Sequence, residues 1–243
     1  MSAICFDCDR GSGAAATGKP DWQVVVPHCP DDIYKRLFAL CANPGDVATV
    51  LIDSITTYFT MGKSDQHPAG ASIASRPGDW GKLDWGQLIG QWQDIVAKGV
   101  ELTEKHGINF VVVGHIKADY VTVGRAPDGL AIKKLLGWTL EVPGNGDNDI
   151  LVPFDETYLL QEQVGGGVQL HARKTMFDGY AFKAKSRYGV ASPLAGTREK
   201  PLSYDAIIAA LPTQSPRPRK FALVGEPGVG KTRLAFTFPT RRA

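Results

Sequence analysis

Three segments of the sequence are short, largely apolar runs that end at polar residues. Residues 3–8 read AICFDC, residues 47–52 read VATVLI and precede Asp53, and residues 110–113 read FVVV and precede Gly-His115. Runs of this length without polar alternation are typical of strands covered on both faces of a parallel sheet. The pattern therefore predicts an α/β protein with at least three buried strands.

Other segments show the spacing or end signals of helices. Helices are predicted over residues 31–42, 84–106 and 203–211, and a loop is expected over the Gly-, Ser- and Pro-containing residues 62–82. The longest helix carries an apolar stripe that is more typical of core packing than of a cofactor site: Trp85, Leu88, Trp92, Ile95 and Val96.

The second half of the chain has a different pattern. Residues 117–150 are rich in Gly, Pro, Asp and Asn. Beyond them we predict a hairpin whose turn contains Gly165-Gly-Gly, a third short strand, and a polar, Pro-rich linker over residues 212–219. The three strands are predicted over residues 157–163, 168–173 and 180–184.

Composition narrows the class of protein. Hydrophobic residues make up 43% and charged residues 21% of 243 residues, which is typical of a globular domain. No apolar run is long enough for a membrane span and no secretory signal is visible, so we expect no membrane partner and a cytoplasmic protein. A net charge of +2 neither requires nor excludes nucleic acid.

Cysteine spacing raises one metal hypothesis. Cys5 and Cys8 have the two-residue spacing of a zinc knuckle, and His28-Cys29 follows at a distance. In a strand, however, residues three apart point to opposite faces. We therefore favour buried thiols over a zinc site.

A phosphate-binding motif lies near the end of the chain. Residues 225–232 read GEPGVGKT, after a predicted strand over 221–224 and before a predicted helix, which is the context that a P-loop requires. The glycines let backbone N–H groups face phosphates, Lys231 reaches the β- and γ-phosphates, and Thr232 binds Mg²⁺. The residues expected to bind ATP are Gly225, Glu226, Pro227, Gly228, Val229, Gly230, Lys231, Thr232 and Arg233.

The position of this motif predicts a circular permutation. A strand–loop–helix unit in a parallel sheet needs a returning strand, which the residues after Thr232 do not supply, whereas the chain opens on a strand. Joining residue 243 to residue 1 produces a regular α/β order. We expect a single domain over 1–243, composed of a permuted N-terminal segment over residues 1–211, the linker 212–219 between the ancestral ends, and the P-loop strand and helix 220–243.

Polar residues at the strand ends complete a predicted site. Asp53 matches the acidic residue that holds Mg²⁺ with Thr232, although an aspartate can also simply cap a strand. Asp7 or Asp9 could polarise the attacking water, with Asp9 the better placed, or both could form a solvated strand end near Arg10. His115 could sense the γ-phosphate, or it could be structural.

In its permuted order the chain resembles the RecA superfamily, most closely the phage-encoded RecA/Rad-like (AAA-family) single-strand annealing recombination ATPases. The resemblance spans most of the chain, although only the P-loop is specific by itself. It is carried by FALVGEPGVGKTRLA at 221–235, FDCDRG at 6–11, VLIDSIT at 50–56, VGH at 113–115 and KAKSRYG at 183–189.

The resemblance implies a RecA-like core with a mostly parallel sheet flanked by helices, a β-hairpin extension, and ATP and Mg²⁺ as cofactors. It implies that Asp9 is catalytic where RecA proteins carry glutamate, and that His115 is the sensor where they carry glutamine. It further implies that Lys185 and Arg187 reach the ATP of a neighbouring subunit in a homo-oligomer. The alternative for these two residues is a solvated edge strand.

DNA contacts are expected after the sensor strand, within residues 117–150. The candidates for phosphate contacts are Lys117, Arg125, Lys133 and Lys134, and Tyr120 and Trp138 could stack on bases. A mildly basic surface loop is the alternative.

The leading functional hypothesis is therefore an ATPase of DNA recombination or single-strand annealing. Its expected partner is single-stranded DNA, with a single-strand DNA-binding protein as a further candidate, in the bacterial host cytoplasm if the chain is phage-encoded. The alternatives are a nucleotide-gated binding or loader module that scarcely hydrolyses ATP, and a helicase-like motor.

Overall fold

The computed structural model describes most of the chain. The described ranges are 3–66, 82–142, 150–164, 166–182, 184–197, 199–213, 217 and 219–240. Within them the protein is α/β, with a mostly parallel central sheet flanked by helices.

The described residues form twelve strands and six helices. The strands are β1 (Ala3–Asp7), β2 (Trp22–Val25), β3 (Thr49–Asp53), β4 (Asn109–Arg125), β5 (Ala131–Leu140), β6 (Glu156–Glu162), β7 (Val168–His171), β8 (Thr175–Phe177), β9 (Tyr180–Phe182), β10 (Lys185–Ser186), β11 (Leu194–Gly196) and β12 (Lys220–Gly225). The helices are α1 (Ser12–Ala16), α2 (Pro30–Ala42), α3 (Ile55–Gln66), α4 (Lys82–His106), α5 (Tyr204–Ala209) and α6 (Lys231–Ala235).

The strands of the main sheet follow the order β11-β7-β6-β12-β4-β3-β1-β2. The stretch from β6 to β2 is parallel throughout, whereas β5, β7, β10 and β11 are antiparallel to their partners. Strand β12, although late in sequence, lies in the interior of the sheet between β4 and β6. The loop and helix that follow β12 are therefore anchored to the central strands.

The hydrophobic core is divided between the two faces of this sheet. On one face, α2, α3 and α4 bury residues such as Leu37, Tyr58 and Trp92 against the sheet. The other face is covered by residues that include Tyr204 of α5 and Leu234 of α6. Because both faces are covered, successive residues of each central strand are apolar, which explains the uninterrupted hydrophobic runs in the sequence.

The strand predictions in the first half of the chain are confirmed, as are the helices at 31–42 and 84–106. Leu88, Trp92, Ile95 and Val96 of the predicted stripe are buried. Cys5 and Cys8 are also buried, in separate clusters on opposite faces of the sheet. The loop predicted over 62–82 is wrong at its start, because α3 continues to Gln66, and residues 67–81 lie outside the described residues.

The later segments of the chain depart further from expectation. The hairpin of β6 and β7, the helix α5 and the strand β12 are confirmed, and the third strand ends at Phe182 rather than at residue 184. The interpretation of residues 117–150 as a surface loop is wrong over their first part, because β4 runs on to Arg125 and pairs with β5 as a long antiparallel hairpin. Residues 143–149 of that predicted region lie outside the described residues.

No helix among the described residues has both the length and the apolar composition that crossing a bilayer requires.

Candidate functional site

Strands β1, β3 and β12 end at the same edge of the sheet, where β4 continues beyond its parallel neighbours, and polar residues meet there. The registers pair Gly225 of β12 with His115 of β4, Val113 of β4 with Asp53 of β3, and Asp53 with Asp7 of β1. Carboxyl ends of parallel strands are the usual place for ligand sites in α/β sheets. The candidate site is therefore built on the most buried strands of the fold.

The glycine-rich loop, residues 225–230, connects β12 to α6 and depends on glycine at three positions. A Cβ atom at Gly225 would lie 2.5 Å from the carbonyl oxygen of Leu160 on β6. Gly228 and Gly230 have φ angles of 82° and 93°, in the left-handed region that residues with a Cβ rarely adopt. These constraints hold the loop in a tight turn over the end of β12.

The side chain of Lys231 lies over this loop and is buried. Its ammonium donates hydrogen bonds to the carbonyl oxygens of Gly225, at 3.0 Å, and Glu226, at 2.7 Å. Burial lowers the pKa of Lys231 to about 8, and the attraction of Asp53 and Asp9 opposes that shift. The ammonium of Lys231 is thus stabilised by backbone carbonyl oxygens of the loop and lies close to the acidic side chains of Asp53 and Asp9.

A carboxylate and two hydroxyls meet beside the first turn of α6. Oδ2 of Asp53 accepts a hydrogen bond from Oγ1 of Thr232 at 2.7 Å and another from Oγ of Ser12 at 2.7 Å. Burial raises the pKa of Asp53, while the two hydroxyl bonds act in the opposite direction. Ser12 was not predicted from the sequence. Its position five residues after the end of β1 at Asp7 is the one feature of the sequence that could have indicated it.

Asp7 and Asp9 have different environments although they are two residues apart. The Asp7 carboxylate accepts the backbone N–H groups of Gly11, at 3.1 Å, and Ser12, at 3.0 Å, and so fixes the start of α1. Asp9 lines the cleft next to the loop, and its Oδ1 accepts a hydrogen bond from Oγ of Ser54 at 2.9 Å. Asp9, rather than Asp7, faces the space where a ligand would lie.

His115 lies across from Asp9. The distance between Nε2 of His115 and Oδ2 of Asp9 is 3.8 Å, and the backbone N–H of His115 donates to Oγ1 of Thr56 at 3.0 Å. Burial lowers the pKa of His115, and the positive charge of Lys231 lowers it further. We therefore expect a neutral imidazole at pH 7.

A cleft of about 710 Å³ is lined by six of the polar residues described above: Asp9, Ser12, Asp53, His115, Lys231 and Thr232. Its lining also includes residues of the glycine-rich loop, of the β6–β7 turn and of the segment after β11, among them Gly167 and Thr197. This volume is within the range of small-molecule sites, about 300–1,000 Å³. The cleft is large enough for a nucleotide.

The residues at the cleft suit a nucleotide-bound Mg²⁺ ion. Among the described residues there is no group of three or more His, Cys, Asp or Glu side chains arranged to hold a metal ion by themselves. A Mg²⁺ ion that arrives with a triphosphate needs few protein ligands, because phosphates and waters supply the rest. The hydroxyl of Thr232 beside the carboxylate of Asp53 offers the hard oxygen ligands that such an ion prefers.

Lys185 and Arg187 lie away from the cleft of their own chain. Lys185 pairs with Thr157 near the start of β6, and its Nζ donates to the carbonyl oxygen of Val152 at 3.2 Å. Arg187 forms an ion pair with Asp155 at 2.9 Å. Within one chain, neither residue lines the cleft that contains Lys231.

The four predicted DNA-contact residues fall on the β4–β5 hairpin. We call its exposed portion, residues 118–136, the arm. Arg125, Lys133 and Lys134 lie on the arm, whereas Lys117 lies at its base and donates to the carbonyl oxygen of Val142 at 3.3 Å.

The two aromatic candidates for base stacking also differ in position. The side chain of Tyr120 is 54% exposed on the arm. Trp138 lies at the base and packs edge-on against Phe177, with 5.0 Å between ring centroids. Tyr120 is accordingly the more accessible of the two rings.

Scans of the sequence against protein-family models and against curated proteins found no match to this chain. The assignment of a function therefore depends on the residues of this chain and their geometry.

Proposed function

We propose that this protein is an ATP- and Mg²⁺-dependent ATPase of the RecA class that acts on single-stranded DNA in recombination or annealing. One observation carries the proposal. The hydroxyl of Thr232, next to Lys231 at the end of a glycine-rich loop, is hydrogen-bonded to Asp53 at the carboxyl end of a nearby parallel strand. This arrangement of loop, lysine, hydroxyl and carboxylate is the one that P-loop enzymes use to hold a nucleotide with its metal ion.

In this proposal the loop binds the phosphates of ATP through its backbone N–H groups. The ammonium of Lys231 exchanges the carbonyl oxygens of Gly225 and Glu226 for β- and γ-phosphate oxygens. Thr232 and Asp53 would hold a Mg²⁺ ion that arrives with the nucleotide, and such an ion would supply positive charge against the phosphates. The buried position of Lys231 strengthens its attraction for phosphate, because little water screens it.

Asp9 and His115 take the roles next to the γ-phosphate. Asp9 orients the attacking water and accepts its proton, with Ser54 holding the carboxylate in place. His115, whose pKa is lowered by burial, has its Nε2 3.8 Å from Oδ2 of Asp9 and so is near enough to respond to a change there, which supports a role as γ-phosphate sensor. Asp7 is assigned no catalytic role, because both of its oxygens accept backbone N–H groups.

The strand arrangement supports a circularly permuted RecA-like core. Strand β12 would be the first strand of the unpermuted order. Among the strands that follow it, β1, β3, β4 and β6 form a contiguous parallel block with it in the sheet, with β2 at the edge beside β1. The residues on either side of the inferred junction are close together. Asp21 accepts the backbone N–H of Ala3 at 3.1 Å through its carbonyl oxygen, and its carboxylate accepts the hydroxyl of Thr240 at 3.4 Å.

DNA binding and assembly are proposed on two surface features. Arg125, Lys133 and Lys134 give the arm positive charges for phosphate contacts, and Tyr120 provides a ring for stacking. Lys185 lies too far along β6 to serve its own cleft, so we assign it, with Arg187, to the cleft of a neighbouring subunit.

The test of this function is the rate of ATP hydrolysis with and without single-stranded DNA, over a series of salt concentrations. We expect turnover that single-stranded DNA stimulates and that falls as salt weakens DNA binding. ATP binding without turnover in either condition would instead support the nucleotide-gated binding module. Directional unwinding of duplex DNA would support the helicase-like motor, and failure to bind ATP at all would exclude all three.

A further inference from the structure

Ser12 occupies a position in the site that its sequence context does not suggest. Ser12 is the first residue of the short helix α1, which follows β1. Its side chain is polar, yet its exposed fraction is only 1%. Its hydroxyl donates to Oδ2 of Asp53, the same oxygen that accepts the hydroxyl of Thr232. A side chain this deeply buried does not contribute to solubility, so its hydroxyl is expected to have a structural or functional role at the carboxylate that it contacts.

We propose that Ser12 is a positioning residue for the metal site, which holds Asp53 in the orientation that prepares Thr232 to bind Mg²⁺. This inference depends on the proposed function. A hydroxyl that donates its proton to a carboxylate directs its lone pairs elsewhere, and those lone pairs are what a metal ion requires. Thr232 can therefore bind the ion only if Oδ2 of Asp53 stays where it accepts the threonine proton.

The anchoring of Ser12 supports this role. The backbone N–H of Ser12 donates to Oδ2 of Asp7, and that of Gly11 donates to Oδ1 of the same carboxylate. Asp7 is itself 3% exposed and ends β1, which pairs with β3 in register with Asp53. The hydroxyl of Ser12 thus approaches Asp53 from a backbone position that a second buried carboxylate fixes.

This network gives Asp7 and Ser12 a joint function. Asp7 holds the start of α1, Ser12 holds Asp53, and Asp53 holds Thr232. Groups that orient metal ligands in this way commonly change metal affinity by about 10- to 100-fold when they are removed. The inferred effect of Ser12 is therefore on the Mg²⁺ dependence of nucleotide binding and not on the binding of the triphosphate to the loop.

The test is the affinity for ATP measured by calorimetry, first in EDTA and then over a series of Mg²⁺ concentrations. For Ser12→Ala we expect the affinity in EDTA to equal that of the unaltered protein. Mg²⁺ should raise the affinity for ATP above its value in EDTA. The Mg²⁺ concentration at which half of this increase is reached should be about tenfold higher or more for Ser12→Ala than for the unaltered protein. Ser12→Thr keeps the hydroxyl and should restore the original Mg²⁺ dependence.

Ser192→Ala is the matched control. It also removes one serine hydroxyl hydrogen bond, to the backbone N–H of Ala172, away from the cleft. It should leave both affinities unchanged. Thermal unfolding of each variant shows whether it is folded.

Three outcomes would overturn the inference. Ser12→Ala could keep the original Mg²⁺ dependence, or it could lose affinity equally in EDTA and in Mg²⁺, which would indicate a structural role alone. If the unaltered protein binds no ATP in either condition, the proposed function fails and the inference fails with it. Binding by the unaltered protein, combined with either of the first two outcomes, would leave the proposed function standing.

Discussion

Lys231 shows how a single buried charge connects the fold to the proposed chemistry. Its ammonium is buried and donates hydrogen bonds to two carbonyl oxygens of the loop, and the carboxylates of Asp53 and Asp9 attract it. The hydrogen-bond acceptors of this ammonium in the free site are neutral carbonyl oxygens, and a charged phosphate oxygen is a stronger acceptor than a neutral one. In the proposed function the ammonium of Lys231 therefore exchanges its two carbonyl partners for phosphate oxygens when ATP binds.

A pH dependence follows from the lowered pKa of Lys231. Because that pKa is about 8 in the free protein, the ammonium begins to lose its proton at a pH where an exposed lysine stays charged. If ATP binds the charged form, its dissociation constant in EDTA should rise by up to about tenfold per pH unit above pH 8. Lys231→Arg, which stays charged, should bind with a nearly constant affinity over the same range, and an equally steep loss in that variant would contradict the explanation.

Asp9 and Asp7 provide a matched pair for a test of catalysis. Asp9→Asn should lower turnover by about 10²- to 10⁴-fold and leave ATP affinity nearly unchanged, because it removes a proton acceptor and little bulk. Asp7→Asn should lower the thermal unfolding temperature, because the amide replaces an oxygen that accepts a backbone N–H at the start of α1. Steady-state rates, ATP affinity and thermal unfolding distinguish the two effects. Near-normal turnover in Asp9→Asn would remove Asp9 from its proposed role.

The residues of the site differ in how far the sequence could predict them. Lys231 and Thr232 belong to a contiguous motif, so their roles follow from local spacing alone. The contacts of Asp53 and Asp9 depend on strand order, which a periodic pattern does not contain. Ser12 could not be recognised, because its partner Asp53 is distant in sequence and becomes its neighbour only through the pairing of β1 with β3.

Whether a strand or helix could be predicted from the sequence depended on how much of it is buried in the core. The central strands and α2 have apolar patterns imposed by the core, and these predictions are confirmed. The arm does not pack against the core, so its side chains do not alternate between buried and exposed. Tyr120, Val121 and Val123, for example, are all exposed. Without alternation of buried and exposed positions, the extension of β4 beyond Ile116 was not detectable from periodicity.

The arm leads to a prediction about DNA. Replacing Lys133 and Lys134 together by alanine removes two exposed positive charges, so we expect weaker stimulation of turnover by single-stranded DNA. The slope of log affinity against log salt should become shallower by about 1.4, from about 0.7 for each phosphate that is no longer neutralised. A double replacement of the exposed Lys19 and Lys35 by alanine is the charge-matched control. If both double variants behave alike, the arm is not the DNA surface.

At the scale of the whole molecule, the central question is how a cleft open at one side becomes a complete active site. The described chain supplies the loop, the proposed metal ligands Thr232 and Asp53, and Asp9. The basic residues Lys185 and Arg187 lie elsewhere, Arg187 in an ion pair with Asp155. In the proposed assembly these residues would serve a neighbouring cleft. Arg187 would then exchange Asp155 for the phosphate of that cleft.

A mixing experiment tests this assembly. Lys185→Ala keeps an intact loop, and Lys231→Ala keeps an intact Lys185. Each variant alone should be nearly inactive, and a mixture should regain some of the ATPase activity, because subunits of the second type complete clefts of the first. The increase in rate on mixing at constant total protein is the readout. A mixture as inactive as its components would contradict a role for Lys185 across the interface.

The most direct test of the whole account is ATP binding in the presence of Mg²⁺, measured by calorimetry on the unaltered protein and on Lys231→Ala. We expect one ATP bound per chain by the unaltered protein and no detectable binding by the variant, with thermal unfolding showing that the variant is folded. ATP binding of equal strength by the two proteins, or none by either, would contradict it.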